Sequence, residues 1–571
     1  MTRQAQALFR TLVVVLSLTL LIVESSAARN PSAYRGEIKR YLKAAEKAWN
    51  LRGAVLVASR GKPVLQEGFG MACDRFQQEN LPSTKFFIGS ITKQFTAAAI
   101  LLLQERQLLH VSDPITRHLP DYPADPGDRI TIHHLLTHTS GLPNFTEKPV
   151  FLASRTYNLK PEELMTLFVD EELDFAPGTR FRYSNSGYVV LGAIIEAASG
   201  QSYEAFLHHE LFDPSGMSST GYGRKEAGVP ERADGYTIDE KFRTISAIPI
   251  DYSSLYSAGA LYSTVGDMLL WERALFGPKQ ILSEHSVEAM TTDHGYGYGY
   301  GLYVDSLYSR PQVFHGGFVD GFNSVMMVMP EDELVALVFA NEDETPVRKI
   351  CRGIISTCLF GRPYVWPEKK KERKMREKNP SSLEGIYQPG AGLPHLVTAE
   401  GDSLYIQLPG RSRDRLVPEK RDRYFLQTDN TISVTFERDD HRIVTGYTLW
   451  DEGVEVRAMR LEGKQARHQF QLLRAVPLVP SEHGQVAGVY TLESPLSTDA
   501  HSLLLEVVLE GNRLYASVAG FRRISIVPMS SLEFFHRTAD FRIVFEKDSL
   551  GVISKCRLCL GDECVTGMRN P

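Results

Sequence analysis

The sequence predicts an α+β domain followed by two small antiparallel β-barrels, and three observations carry that prediction. Strand-like apolar segments stand at both ends of residues 30–361 with helix-like segments between them, the composition changes abruptly near residue 362, and beyond that point the chain repeats itself. A chain of 571 residues also exceeds the roughly 250–300 at which one hydrophobic core stops growing, so several domains are required. Apolar residues at 43%, charged residues at 23% and a net charge of -6 exclude disorder, collagen and a disulfide scaffold. The absence of a basic excess also argues against nucleic acid as a partner.

Taken in chain order, residues 1–27 read as a cleavable signal peptide. Arg3 and Arg10 form a positive region, residues 11–23 an apolar run, and Ser25, Ser26 and Ala27 the small residues of a cleavage site. The run is shorter than the roughly 17–25 residues that cross hydrocarbon, so a secreted or periplasmic protein without a stable membrane span is expected. In residues 30–361 the segments 53–58, 324–330 and 334–340 read as strands, and 96–104, 187–198 and 265–275 as helices. Strands from both ends with helices inserted between them fit α+β packing. The alternation of Gly and Tyr over 295–301 reads as one more strand, with a special binding surface as the alternative.

Residues 362–380 carry Pro363, Pro367 and a run of mixed charge, the pattern of a solvated charged linker. Beyond it Gly385-Ile386-Tyr387 recurs as Gly488-Val489-Tyr490, Leu404-Tyr405 as Leu514-Tyr515, and Val417-Pro418 as Val527-Pro528. Each copy alternates β-branched and aromatic segments with polar turns, which predicts β-barrel domains over 381–476 and 484–571. Cys559 and Cys564 flank Leu560-Gly561-Asp562-Glu563; a hairpin turn there would bring the sulfurs together, a disulfide being favoured over a zinc site.

Ser90-Ile91-Thr92-Lys93 opens an apolar helix, so the hydroxyl and the amine stand side by side one turn apart. Serine is a poor nucleophile until a neighbouring base takes its proton, and a desolvated lysine can do so. Tyr183-Ser184-Asn185 places a phenol and an amide on a loop before a helix, able to shuttle a proton and hold a carbonyl. His315-Gly316-Gly317 sets an imidazole beside two glycines that let a substrate backbone approach a strand edge.

In this order and with these separations the three elements resemble the active-site serine family that unites class C β-lactamases, penicillin-binding DD-peptidases, D-aminopeptidases and related esterases. The pattern of that family is Ser-x-x-Lys, Tyr-x-Asn, then Lys-Thr-Gly or His-x-Gly. The stretch Ile130-Thr131-Ile132-His133-His134-Leu135-Leu136-Thr137-His138-Thr139-Ser140-Gly141-Leu142 and the segment from Ala258 to Thr264 look like further family signatures, and the resemblance covers roughly residues 35–360. It implies a β-lactamase/DD-peptidase-like catalytic domain in which Ser90 is acylated, with Lys93 and Tyr183 sharing general-base and general-acid work. Asn185, His315 and Gly317 would bind substrate, and the backbone N–H groups of Ser90 and Phe318 would form the oxyanion hole. A catalytic domain followed by two barrels looks like the bacterial D-aminopeptidases, in which a barrel loop narrows the site; residues 390–394 and 409–413 are the candidate loops here.

The implied protein is an exported serine hydrolase acting through an acyl-enzyme on amides or esters, with D-amino-acid-containing or peptidoglycan-derived peptides as candidate substrates and β-lactams as candidate ligands. A promiscuous esterase, a weak β-lactamase and a non-catalytic binding protein are the alternatives. His315 stands where β-lactamases carry lysine, and an imidazole gives a substrate carboxylate less charge to meet. No cofactor or metal is implied: His134 and His138 lack the glutamate of a zinc helix. Asn144-Phe145-Thr146 forms a glycosylation sequon.

Overall fold

The computed structural model describes residues 31–570 except 149, 152–154, 224–230, 240–242, 249, 279–280, 369, 376, 378, 391–393, 408–412, 452–453, 463–479, 494–502, 511–512, 519–523, 536–540 and 561–562. The signal peptide expected at 1–27 and most of both candidate barrel loops lie outside the described residues.

The ends of the first domain meet in one antiparallel sheet. Its strands are β1 (Gly53–Ser59), β2 (Lys62–Phe69), β3 (Tyr303–Leu307), β4 (Arg310–Val319), β5 (Phe322–Met329) and β6 (Leu334–Ala340), in the order β3-β4-β5-β6-β1-β2. Strand β6, Leu-Val-Ala-Leu-Val-Phe-Ala, is apolar throughout because it is covered on both faces. Val335, Leu337 and Phe339 enter one core, while Leu334, Ala336 and Val338 enter the other. Helices α1 (Arg35–Trp49) and α7 (Val347–Phe360) close the second face, burying Ile38, Tyr41, Leu42 and Ala45 against Ile350, Ile354 and Ile355 at helical spacing. On the first face lie α2 (Thr92–Glu105), α3 (Ile132–Leu136), α4 (Asn185–Ser199), α5 (Tyr256–Gly259) and α6 (Val265–Phe276). The resulting three layers put the start of α2 against the edge of β4, where the site forms.

Residues 295–301 are not a strand. Gly295, Gly297 and Gly301 all adopt positive φ, between 69° and 109°, which breaks the extended run. The carboxylate of Asp293 accepts N–H bonds from Gly295, Tyr296 and Gly297 and folds the segment into a loop over α2.

Two closed, eight-stranded barrels follow, from Gly385–Pro389 to Val454–Arg460 and from Gly488–Leu492 to Glu563–Arg569. The repeated sequences do the same work in each. Tyr387 donates its hydroxyl to Leu383 O at 2.6 Å, and Tyr490 to Val486 O at 2.8 Å. Arg460 on the last strand of the first barrel donates to Glu384 O at 2.5 Å, as Arg569 does to Ala487 O at 2.6 Å, so that the last strand ties down the entry to the first. In the second barrel Cys559 and Cys564 face each other across the final hairpin and are bonded.

The charged segment between the domains is exposed over residues 371–374 and is also tied to the first barrel. Glu372 pairs with Arg415 at 2.6 Å and Glu377 with Arg438 at 2.7 Å, while Met375 packs against the core of the first barrel. Lys370 in turn meets Glu419 at 3.8 Å, so charges of both signs on the segment find opposite charges on the barrel wall and strap it down. The same barrel also docks on the back of the catalytic domain. Trp49 donates Nε1–H to Asn430 Oδ1 at 3.2 Å, and Lys349 Nζ contacts Asp429 at 2.6 Å, Asp451 at 3.0 Å and Thr431.

Candidate active site

Ser90 lies on a single 3₁₀ turn, Gly89–Ile91, that runs directly into α2, and Lys93 stands on the first turn of that helix. The turn is pressed onto β4 so closely that side chains are excluded. A Cβ on Gly89 would fall 2.8 Å from Phe318 N, and one on Gly317 would fall 1.8 Å from Ile88 O. Gly89 also has φ +50°, a region open to glycine at little cost. These two glycines bring the main chain of Phe318 beside the nucleophile's turn, while the Phe318 side chain is 62% exposed at the rim.

The amine of Lys93 is fully buried. Its Nζ lies 3.0 Å from Ser90 Oγ, 2.7 Å from Asn185 Oδ1 and 2.8 Å from Ala258 O. No carboxylate is among these partners, and burial holds its pKa well below the ordinary lysine value. A neutral amine has two N–H groups and one lone pair. The two carbonyl oxygens take the N–H groups, which leaves the lone pair for the Ser90 hydroxyl proton.

Tyr183 sits on the other side of the serine. Its ring lies 4.9 Å from Lys93 Nζ, and its hydroxyl is hydrogen-bonded with Ser90. Burial pushes the phenol well above its usual range, against the smaller opposing effect of the Ser90 hydrogen bond, so the group holds its proton. Asn185 opens α4 and has its amide committed on both sides: Oδ1 accepts from Lys93, and Nδ2 donates to Thr146 Oγ1 at 2.9 Å. Its main-chain N–H donates to Asn144 Oδ1 at 3.0 Å. The sequon residues thus support Asn185. Asn144 is 8% exposed and also donates Nδ2–H to Glu147, so its amide is held inside the fold.

His315, in the middle of β4, is buried with both ring nitrogens engaged. Nδ1 lies 2.6 Å from Gly316 O and must carry the proton, so Nε2 accepts from the Tyr298 hydroxyl at 3.1 Å. Burial, reinforced by the nearby Lys93, takes its pKa down to about 3. The imidazole is therefore neutral and presents no charge to a substrate carboxylate. Tyr298, which holds it, comes from the loop that the alternating glycines had suggested to be a strand; their positive φ, visible only in the folded backbone, is what turns the segment toward the site.

The structure therefore brings together Ser90, Lys93, Tyr183, Asn185, His315, Gly317 and the main chain of Phe318. The histidines of the 130–142 stretch do not combine on one helical face, because α3 ends at Leu136 and His138 has φ 57°. His133 instead meets the Tyr300 hydroxyl at 2.8 Å.

Comparison with known proteins agrees with this geometry. Residues 38–355 match the family described as Beta-lactamase. Penicillin-binding protein 4* of Bacillus subtilis (strain 168) is 29% identical over 441 residues, which span 72% of this chain and 94% of that protein. Protein flp of Staphylococcus aureus (strain COL) is 26% identical over 320 residues, 54% of this chain and 64% of that protein. In fold, the octameric penicillin-binding protein homologue from Pyrococcus abyssi superposes with a TM-score of 0.53 at 23% identity, covering 86% of this chain and 99% of that one. The fold, the matched residues and the serine-lysine pair lead to one assignment: the chain belongs to the beta-lactamase family of serine hydrolases.

Proposed function

We propose that the protein is an exported hydrolase that acylates Ser90 and acts on amide or ester bonds, with peptides containing D-amino acids as its substrates. The observation that carries the reading is the Lys93 amine, buried without a carboxylate partner and 3.0 Å from Ser90 Oγ. Ser90 Oγ attacks the substrate carbonyl while its proton passes to Lys93 Nζ. The oxyanion is met by the N–H groups of Ser90 and Phe318, each such donor being worth about 3–4 kcal/mol. Tyr183, which keeps its proton, hands it to the leaving amine and is reprotonated from Lys93; water then cleaves the ester by the same groups in reverse order. Lys93 is the base in this scheme and Tyr183 the shuttle, because burial moves their pKa values in directions that suit those roles.

Several observations support the substrate class. Neutral His315 and the absence of a lysine in the third motif weaken recognition of the penicillin carboxylate, which favours peptide amides and esters over strong β-lactamase activity. The relative spanned over 94% of its length is named for penicillin binding, a property that fits an acyl-accepting serine. Among the described residues no helix is long and apolar enough to cross a membrane, and the N-terminal charge and apolar pattern supports export. Intact mass after incubation with benzylpenicillin, followed by turnover of D- and L-alanine p-nitroanilide, tests the reading. Acylation or D-selective turnover in the wild type that disappears in Ser90→Ala is expected. Activity retained by Ser90→Ala rejects the nucleophile, and L-selectivity rejects the substrate class.

A further inference from the structure

We propose that His138 is the positioning residue for Tyr183: it holds the main chain on both sides of the tyrosine and supports the phenol ring, which fixes the hydroxyl against Ser90. The inference rests on the reading of Ser90 as the acylated nucleophile and adds a residue to which no role has yet been given.

The geometry is specific to the tyrosine. The carbonyl of His138 accepts the N–H of Arg182 at 3.0 Å, and its Nδ1 accepts the N–H of Ser184 at 3.1 Å. The two residues flanking Tyr183 are therefore both bonded to one amino acid, 44 residues away in sequence on one side and 46 on the other. Between those bonds the imidazole packs on the Tyr183 ring, with centroids 4.2 Å apart and planes tilted by 33°. Tyr188, whose hydroxyl is bonded to Leu136 O at 2.9 Å, lies against the same imidazole at 5.1 Å. His138 is 1% exposed, so no solvent competes for these contacts.

Two features show that packing alone does not account for the residue. Because Nδ1 accepts, the proton of a neutral imidazole sits on Nε2, and this buried atom has no polar partner. An unpaired buried donor costs free energy that an apolar ring would not incur. The backbone of His138 is also left-handed, φ 57°, an unfavourable conformation for most side chains. Both costs are tolerated at the one place where main chain and ring can reach Tyr183 together. Burial and the Lys93 amine hold the imidazole neutral, which keeps Nδ1 an acceptor.

The test is the hydrolysis of p-nitrophenyl acetate by the full chain, measured as kcat and KM in two backgrounds. His138→Phe keeps a ring and removes the acceptor; His138→Asn keeps an acceptor, tolerates the left-handed backbone and removes the ring. We expect His138→Phe to lower kcat by about 10- to 100-fold with KM changed less than about twofold, and His138→Asn, which keeps the acceptor but lacks the ring, to retain a smaller loss of several-fold, since small misplacements of a catalytic group cost rate rather than binding. In a Tyr183→Phe background, where no hydroxyl remains to be placed, neither substitution lowers kcat further. A folded His138→Phe protein with wild-type kcat overturns the inference, as does an equal loss in both backgrounds. If near-ultraviolet circular dichroism shows that His138→Phe does not fold, His138→Asn carries the same comparison: a several-fold loss that vanishes in the Tyr183→Phe background supports the role, and no loss or an equal loss overturns it. Ser90→Ala serves as the separate control. Turnover surviving in it rejects the acyl-enzyme reading itself, whereas its inactivity beside an unaffected His138→Phe rejects only the role of His138.

Discussion

Lys93 and Lys349 are both withdrawn from water, and their surroundings are opposite. Lys93, at the active site, meets a hydroxyl, an amide oxygen and a backbone carbonyl, and burial lowers its pKa. Lys349, on the helix that faces the first barrel, meets Asp429 and Asp451. Burial alone would lower its pKa too, but the two carboxylates outweigh burial and raise it. The same side chain is thus a base where the fold denies it a counter-charge and a fastener where the fold supplies two. Burial with an anion stabilises the charged form and ties domains together; burial without one destabilises the charged form and produces reactivity.

Exchanging each lysine for methionine separates the two uses. Lys93→Met is expected to lower kcat/KM by at least about 10³-fold, a loss of roughly 4 kcal/mol of transition-state stabilisation, with the unfolding transition little changed. Steady-state kinetics beside a urea titration checks both halves, and an active Lys93→Met protein would remove the base from the mechanism. Lys349→Met should do the reverse. It leaves two carboxylates facing an apolar side chain, which is expected to cost about 2–3 kcal/mol, less than a fully buried pair because Asp451 is partly exposed. The readout is the urea midpoint, with kcat unchanged. The pH dependence has opposite signs as well. The contribution of Lys349 is present below its unfolded pKa near 10.4 and lost as pH rises through its higher folded value. The cost of burying Lys93 is present at neutral pH and relieved as pH rises toward 10.4.

A neutral buried histidine sharpens the same contrast at acid pH. His315 has a folded pKa of about 3 against roughly 6.5 when unfolded. As pH falls from 6.5 toward 3 the unfolded chain gains a proton that the native site refuses, so stability falls by up to about 1.4 kcal/mol per pH unit from this group. Urea midpoints between pH 7 and pH 4.5 should decline in the wild type and decline less in His315→Gln. Equal slopes would mean that the imidazole is charged or solvated in the native protein.

Much of this site was legible in the sequence because its parts are local. Ser90 and Lys93 are one turn apart on a helix, and that spacing alone places amine beside hydroxyl. Apolar segments at both ends of the first domain and the repeated Gly-x-Tyr pattern likewise announced the sheet and the barrels. What was not legible depends on contacts across the fold. Asn144 and Thr146 looked like a sequon, and only their proximity to Asn185, some 40 residues away, shows their use. Tyr298 was hidden in a segment whose glycines alternate as in a strand but take positive φ. The arginines that close the barrels, Arg460 and Arg569, carried no local signal, since each acts on carbonyls at the far end of its own domain.

The smallest expected effect concerns a hairpin that the two barrels share. In the first barrel Trp450 stands opposite Glu455, and the adjacent Asp451 reaches Lys349. At the same place in the second barrel Cys559 stands opposite Cys564, and the pair is bonded. One hairpin is thus held from outside, by the catalytic domain, and the other from within. A bond closing so short a loop restricts the unfolded chain only modestly, about 2 kcal/mol at most. Cys559→Ser with Cys564→Ser should therefore destabilise the second barrel by about 1–2 kcal/mol and leave turnover and the Lys349 joint untouched. Calorimetry of the double variant beside Lys349→Met distinguishes the two fastenings: two different components of the thermal transition should move, one in each protein. Movement of the same component in both would mean that the barrels unfold as a unit, and that the difference between their hairpins has no energetic consequence.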